Sequence, residues 1–336
     1  RDTDRSRGLG DVYKRQELYI AFRDSLKYRD SSAKKSRIKH TIREFAQFVG
    51  VSKETELITE EDCTSFLNRR NTTVTNAWKK DHCAIKKLFE WACLRGYAPI
   101  NPVPKQLPVF PDAHPAYIYN NDELKRLFDA SLTYMKAESL VTDPRCIRFI
   151  LMTTYAMGLR ISETLAIRFK HIDRKQQIIH IEDSKFFKSR YVTYNHQVAR
   201  LIDEVFEWRK SDSYPMEPDN YVFVSKLGKP VNFVTLHCIF AKIRKKANLY
   251  FPELKRYQPR IHDLRHSFAT NVLKSWYKEG KDVQALLPKL SIYLGHSNVA
   301  HTSVYLSMIP EILEKANELF YIYKNQDNEN STDNKG

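Results

Sequence analysis

Five prolines, Pro102, Pro104, Pro108, Pro111 and Pro115, fall within a stretch of fourteen residues. Each fixes its own φ, has no amide hydrogen to donate, and steers the residue before it away from helical geometry. No helix or interior strand runs easily through such a stretch, so it reads as a stiff linker. The chain is therefore expected to fold as two units, residues 17–108 and 109–325. Its 336 residues suit that division, because single cores seldom grow past about 250–300 residues. Residues 1–16 are charged and without apolar period, and 326–336 are polar. Both read as disordered, the first as disordered or extraneous.

The first unit carries helical periodicity. Ile38, Ile42, Phe45 and Val49 recur at steps of three and four, with Gly50 placed to end the helix. Thr59-Glu60-Glu61-Asp62 opens a second helix, its acidic residues in the first turn where the helix dipole favours them. Ile85, Leu88, Phe89 and Ala92 form a further stripe, stopped by Gly96. The opposite faces carry Lys34, Lys35, Arg37, Lys39, Lys79, Lys80, Lys86 and Lys87. A small helical bundle with a basic exterior is expected, its lysines either solvated or set against a DNA backbone.

The second unit mixes periods. Asn121-Asp122-Glu123-Leu124 is a capped helix start. A helix from about Pro144 to Met157 is apolar nearly all round and so should be buried, with Gly158 ending it and Leu159-Arg160-Ile161-Ser162-Glu163 opening the next. Ile179 and Ile181 alternate with polar residues, and Tyr191-Val192-Thr193-Tyr194 follows a basic turn, which predicts short strands. Helices are predicted again over Gln197–Lys210, Val234–Ala247 and Pro310–Tyr323. No internal repeat is present.

Fifty-five Lys and Arg against 40 Asp and Glu give a formal charge of +15. That balance suits a polyanionic partner, most often nucleic acid. The five cysteines (Cys63, Cys83, Cys93, Cys146, Cys238) form no CxxC pair, which fits a reducing compartment and neither a disulfide frame nor a zinc ribbon. No apolar run reaches the length of a membrane span and no signal-peptide core follows the N-terminus, so a cytoplasmic protein is expected.

The chemistry-bearing residues concentrate between Ile261 and Tyr305. His262 and Arg265 are three apart at a helix start, where free amide groups and the dipole attract anions, and a guanidinium fork matches two phosphate oxygens. Alone, this spacing also describes an ordinary surface or core histidine. His262 and His266 are four apart, a metal-ligand spacing, but Asp263 stands where helical zinc proteases carry Glu, and Arg265 would set a cation beside the metal. Arg160 with Glu163 three residues on could be a local ion pair. Lys185 lies in the turn 184–190 between strands, where a lysine is usually just solvated. One tyrosine of 19, Tyr305, means nothing by itself.

Taken in order, an arginine in GLRISE, a hairpin lysine, HDLRHSFAT, LGHSN and TSVYL resemble the tyrosine recombinase (phage integrase) family. The likeness covers essentially the whole chain between the polar termini. Arg265 and His296 stand 31 residues apart, more than in Xer-type members, and the insert around 276–283 looks like that of recombinases carried by transposons and plasmids.

The resemblance implies a fold that is mainly α with a small β-sheet: a helical SAM-like core-binding domain followed by a mixed α/β catalytic domain. It implies Tyr305 as a nucleophile forming a 3′-phosphotyrosine, Arg160 and Arg265 clamping the phosphate, and His296 adding a hydrogen bond. His262 would accept the phenol proton, and Lys185 would protonate the leaving 5′-oxygen. Glu163, Asp263 and His266 would orient the arginines and their helix. Lys188 and Arg190, basic turn residues, join Lys34, Lys35, Lys39, Lys79, Lys80 and Lys86 as expected DNA contacts. No metal or cofactor is implied. The partners implied are double-stranded DNA with specific recombination sites, further copies of the chain up to a tetramer, and accessory DNA-bending proteins, in a nucleoid-associated, membrane-free setting. The competing readings are a type IB topoisomerase and a DNA-binding regulator without catalysis.

Overall fold

The computed structural model describes residues 22, 32–50, 53, 55–70, 75–110, 116–135, 141–184, 188–255 and 257–309, with the side chains of 32–35, 183, 184 and 188 left aside. The chain divides between Ala113 and His114, inside the proline run, into two compact units. Residues 1–16, Lys185, the predicted helix 310–323 and the polar tail lie outside the described residues, as do the side chains of Lys34, Lys35 and Lys188.

In the first unit α1 spans Ser32–Val49, α2 Glu60–Asn68 and α3 Asn76–Leu94. The period read from the sequence is the buried face: Ile38, Ile42 and Phe45 from α1 meet Ile85, Leu88, Phe89 and Ala92 from α3. Phe45 packs edge-to-face on Phe66 at 5.0 Å and on Phe89 at 6.0 Å. Thr59 and Asp62 form a reciprocal cap at the start of α2, the Thr59 hydroxyl accepting from the Asp62 amide at 3.2 Å and Asp62 accepting from the Thr59 amide at 2.8 Å. Asp81 is buried, and accepts from Thr41 at 3.0 Å and Arg69 at 3.1 Å, which offsets the cost of taking its charge out of water.

The second unit opens with α4, Asn121–Thr133, capped by Asn120 and Glu123. Next come α5, Pro144–Ala156, and the short α6, Ile161–Leu165. Cys146, Ile147, Ile150 and Leu151 of α5 are wholly buried, as expected for a helix apolar nearly all round, while Arg145 reaches solvent. An antiparallel sheet of three strands follows, β1 Ile172–Asp173, β2 Ile178–Ser184 and β3 Lys188–Thr193, in that spatial order. Ile179 opposes Val192 and Ile181 opposes Arg190. The strand period of two puts Ile179, Ile181 and Val192 in the core while Tyr191 points out. Then come α7 His196–Ser211, α8 Phe233–Lys246, α9 Ile261–Lys278, α10 Val283–Leu294 and the single turn α11 Ala300–Ser303. The insert read at 276–283 is the end of α9, a turn at Gly280 and the Asp282 cap of α10. Ala269 and Leu273 of α9, Leu287, Leu290 and Leu294 of α10, and Tyr305 and Ile309 form a second, smaller core. Among the described residues no helix is long and apolar enough to cross a membrane.

Gly158 marks where α5 turns into α6. Its φ is +58°, and a Cβ there would stand 2.2 Å from Phe268 Cδ1. Gly280 has a similar φ of +68° but open space around its Cβ position. Gly280→Ala should therefore cost only the left-handed backbone term, about 1–2 kcal/mol. Gly158→Ala adds the displacement of Phe268 and should cost about 1–3 kcal/mol more. Urea denaturation of both variants checks this; equal losses would contradict it.

Candidate active site

The site is built on the C-terminal end of α10. Tyr293, Leu294 and Gly295 present three successive carbonyls, and each accepts from a different arginine. Arg190 Nε donates to Tyr293 O at 2.8 Å, Arg265 Nη2 to Leu294 O at 2.6 Å, and Arg160 Nη2 to Gly295 O at 2.8 Å. A helix end leaves such carbonyls unpaired and carries partial negative charge, so three cations are held there at one stroke. Gly295 ends α10 at φ +69°, and the His296 amide turns back to Ser291 O at 3.0 Å, which sets the His296 ring beyond the helix.

Glu163 is the acidic counterweight, and it is 5% exposed. One oxygen accepts from Arg160 Nη1 at 2.7 Å and Arg190 Nη1 at 3.0 Å; the other accepts from Arg190 Nη2 and the Arg160 amide, both at 2.9 Å. Arg265 Nη1 stands 3.9 Å away. Burial alone would raise this carboxyl, but Arg190 and Arg160 outweigh it and hold the group at about 2. Arg265 is 1% exposed and also donates to Gly158 O at 3.0 Å, tying α9 to the α5–α6 turn. Burial and the neighbouring Arg160 lower its pKa to about 10, which leaves it cationic at neutral pH.

Tyr305 is 3% exposed. Its hydroxyl lies 3.1 Å from His266 Nδ1, and its ring stacks on His296 at 6.2 Å. Burial raises the phenol, and Arg265 and Arg160 pull it back. His296 Nδ1 is fixed by the Thr302 hydroxyl at 2.7 Å, and Thr302 is fully buried. Burial lowers His262 to about 4 and His296 to about 3, helped by His266 and Arg265 at the first and by Arg265 and Arg160 at the second. His266 is lowered too, chiefly by burial.

The structure thus brings Arg160, Arg265, His296 and Tyr305 together at the end of α10, with Glu163 hydrogen-bonded to Arg160. Two expectations change and one is narrowed. His266, read as an orienting residue, is the imidazole at the phenol; no hydrogen bond joins His262 to Tyr305 among the described residues, and His262 packs edge-to-face on His266 at 4.6 Å. Asp263 clamps Arg260, at 2.8 Å, and the Arg260 amide, rather than Arg265, so it caps α9. Arg190, read as a DNA contact, spends its fork on Glu163 and Tyr293. Parity explains the error: Arg190 lies two residues before buried Val192 and so faces inward. Thr302 went unremarked although TSVYL contains it. Lys79, Lys80 and Lys86 are exposed on α3, Lys86 lying 3.8 Å from Glu90, and Lys39 is half-buried.

The sequence profile of the phage integrase family matches residues 119–310, more than half of the chain and all of this site. The candidate integrase/recombinase y4rB of Sinorhizobium fredii is 30% identical over 214 residues, 62% of this chain and 67% of that protein. The tyrosine recombinase XerC of Lactobacillus delbrueckii is 29% identical over 159 residues, 47% of this chain and 49% of that one. The chain thus spans about half to two thirds of the length of these relatives. Among solved structures, the Tn1549 transposon integrase in complex with a circular intermediate DNA has a TM-score of 0.67 at 19% identity, covering 86% of this chain and 93% of its own. A lambda integrase dimer bound to a core site has a TM-score of 0.66 at 15% identity, covering 86% and 94%. At such identities these two show a shared fold. With a family profile over more than half its length and the arginines, histidine and tyrosine of that family gathered at one helix end, this chain belongs to the phage integrase family of tyrosine recombinases.

Proposed function

We propose that the chain cuts and rejoins double-stranded DNA at specific sites through a phosphotyrosine link, in the service of a mobile element. The observation that carries this reading is the convergence of two guanidinium groups, an imidazole and a phenol at the end of α10. Attack by the Tyr305 oxygen forms the new P–O bond and expels the 5′-oxygen, which takes a proton from Lys185 by the family resemblance. Attack by a partner strand's 5′-hydroxyl then expels the phenol and reseals the backbone. Bond energy stays in the ester, so no high-energy cofactor is required.

Charge gathers on the non-bridging oxygens in the transition state, where Arg160 and Arg265 would stabilise it. The carbonyls and Glu163 hold both guanidinium groups in place before DNA arrives, so little reorganisation is left for the reaction. The nearest base for the phenol proton is His266. Its lowered pKa keeps it neutral near pH 7 and able to accept. Because Tyr305 is 3% exposed, the segment after His296 must shift for a phosphate to meet the phenol.

Exposed Lys79 and Lys80 would contact the duplex backbone, with affinity falling steeply as salt rises. A lambda integrase tetramer bound to a Holliday junction shares the fold, with a TM-score of 0.66, and supports a tetrameric synaptic complex here. Accessory DNA-bending proteins and a nucleoid-associated place of action belong to the same proposal.

Incubation with a nicked suicide substrate, in EDTA, should trap a covalent adduct in the parent and none in Tyr305→Phe. An adduct in Tyr305→Phe would show another nucleophile, and none in the parent would favour a non-catalytic regulator. Relaxation of plasmid without exchange between paired sites would point instead to topoisomerase activity. Arg160→Ala or Arg265→Ala should each slow adduct formation by about 100-fold or more.

The depressed imidazoles set a pH prediction. His262, His266 and His296 have folded pKa values below the unfolded value of about 6.5, so the unfolded chain takes up protons first. Stability of the second unit should therefore fall as pH drops through about 6.5 towards the folded values, and be constant above it as far as these groups go. Histidine NMR titration of the free protein checks the cause: His262 and His296 should remain neutral down to about pH 5, and midpoints near 6.5 would overturn it.

A further inference from the structure

We propose that Arg190 is a positioning residue for the cleavage step, joining β3 to both Glu163 and the α10 end and thereby helping to fix Arg160 and His296. This rests on the recombinase reading above, and it reassigns a residue that sequence alone places among DNA contacts.

Three observations carry it. Arg190 uses all three of its nitrogens inside the protein, Nη1 and Nη2 on the two Glu163 oxygens and Nε on Tyr293 O. Its side chain is 10% exposed and that of Glu163 3%, so the pair is shielded from water and from a passing phosphate backbone. The fit against α10 is close: a Cβ on Gly295 would stand 2.8 Å from Arg190 Nη1 and 3.0 Å from Cζ, so the glycine leaves the notch that the guanidinium fills.

The consequence follows from the shared carboxylate. Arg160 and Arg190 grip the same Glu163 oxygens, and Arg160 and Arg190 also hold Gly295 O and Tyr293 O on either side of the Leu294 carbonyl that Arg265 takes. Without Arg190, Glu163 has Arg160 as its remaining close hydrogen-bond partner among the described residues, and the α10 end keeps only the bond from the Tyr293 hydroxyl to Thr193 O, at 3.3 Å, as its hydrogen bond to β3 among them. Arg160 would then be drawn towards Glu163 and away from a phosphate, and the α10 end that carries His296 would lose one of its three arginine ties. Lysine cannot replace this fork, since one ammonium does not span two carboxylate oxygens and a carbonyl with matching geometry.

The test separates positioning from DNA contact in the full-length chain. Single-turnover adduct formation at saturating suicide substrate is measured beside DNA affinity and its salt dependence for the parent, Arg190→Ala, Arg190→Lys, Glu163→Gln and Glu163→Gln/Arg190→Ala. The expected result is a rate loss on the order of 10–100-fold in Arg190→Ala at nearly unchanged affinity and salt slope, with little recovery in Arg190→Lys. In the Glu163→Gln background the Arg190→Ala change should cost much less than in the parent, because both act through one carboxylate. Weaker binding with a shallower salt slope and an unchanged saturating rate would overturn the proposal in favour of a phosphate contact. So would fully additive effects of the two substitutions, or recovery of the rate by lysine. Circular dichroism melts identify any variant that fails to fold; the Lys variant and the cycle then decide. Absence of adduct in the parent would instead strike the recombinase reading itself.

Discussion

Three guanidinium groups on three consecutive carbonyls are what the second unit depends on. A helix end needs hydrogen-bond donors, and arginines bound for a phosphate need to be held before it arrives. Here one contact meets both needs. Each charge-assisted bond of this kind contributes on the order of 1.5–3 kcal/mol, and the helix end favours nearby cations besides. Against this stands the cost of packing cations so close together that burial and Arg160 lower Arg265. Glu163 offsets that repulsion, which is why a carboxylate is buried among them. The balance still leaves three positive groups around one negative one, an excess that a phosphate can complete.

The elements reach this point from distant parts of the chain for local reasons. Arg160 lies just past the left-handed turn at Gly158, whose carbonyl Arg265 takes. Arg265 stands on α9, whose first turn is closed by Asp263 and Arg260 and whose Ser267 hydroxyl receives the Tyr119 amide at 2.8 Å. That last bond pins the start of the second unit to α9. The long α9 and the Gly280 turn let α10 fold back, so that its end meets β3 and α6. The insert between Arg265 and His296 is thus taken up by helix and turn, and the relation between the two residues is set by the Leu294 carbonyl.

Much of this was legible in the sequence, for identifiable reasons. Buried helices declare themselves through period: Ile38, Ile42 and Phe45, or the nearly all-apolar α5, allow few alternatives. The cluster Arg160, Arg265, His296 and Tyr305 was legible through resemblance, since spacing alone does not bring residues so far apart together. What stayed hidden was the assignment of partners. His262 and His266 share a helix face, and only the position of Tyr305 in the second core decides which ring it touches. Arg190 was misread because a basic turn suggests solvent. Strand parity, counted from Val192, already turned it inward, and that count was available without any structure.

The same packing explains how reactive groups can coexist at rest. A phenol near Arg265 and Arg160 is pulled towards phenolate, but burial in the core of Leu287, Leu290 and Leu294 opposes ionisation and prevails, leaving it raised. A neutral His266 at the hydroxyl is therefore poised to accept the proton without having taken it. DNA would change both sides of this balance. A phosphate set against Arg160 and Arg265 would offset the part of the lowering that these cations add to burial, Arg265 at His266 and both at His296, and so make the two rings more basic. Movement of the phenol out of the apolar core would reduce the burial that keeps it protonated. On the proposed mechanism, substrate would supply the electrostatic change that makes proton transfer favourable, and the chemistry would be tied to the presence of the bond that it breaks.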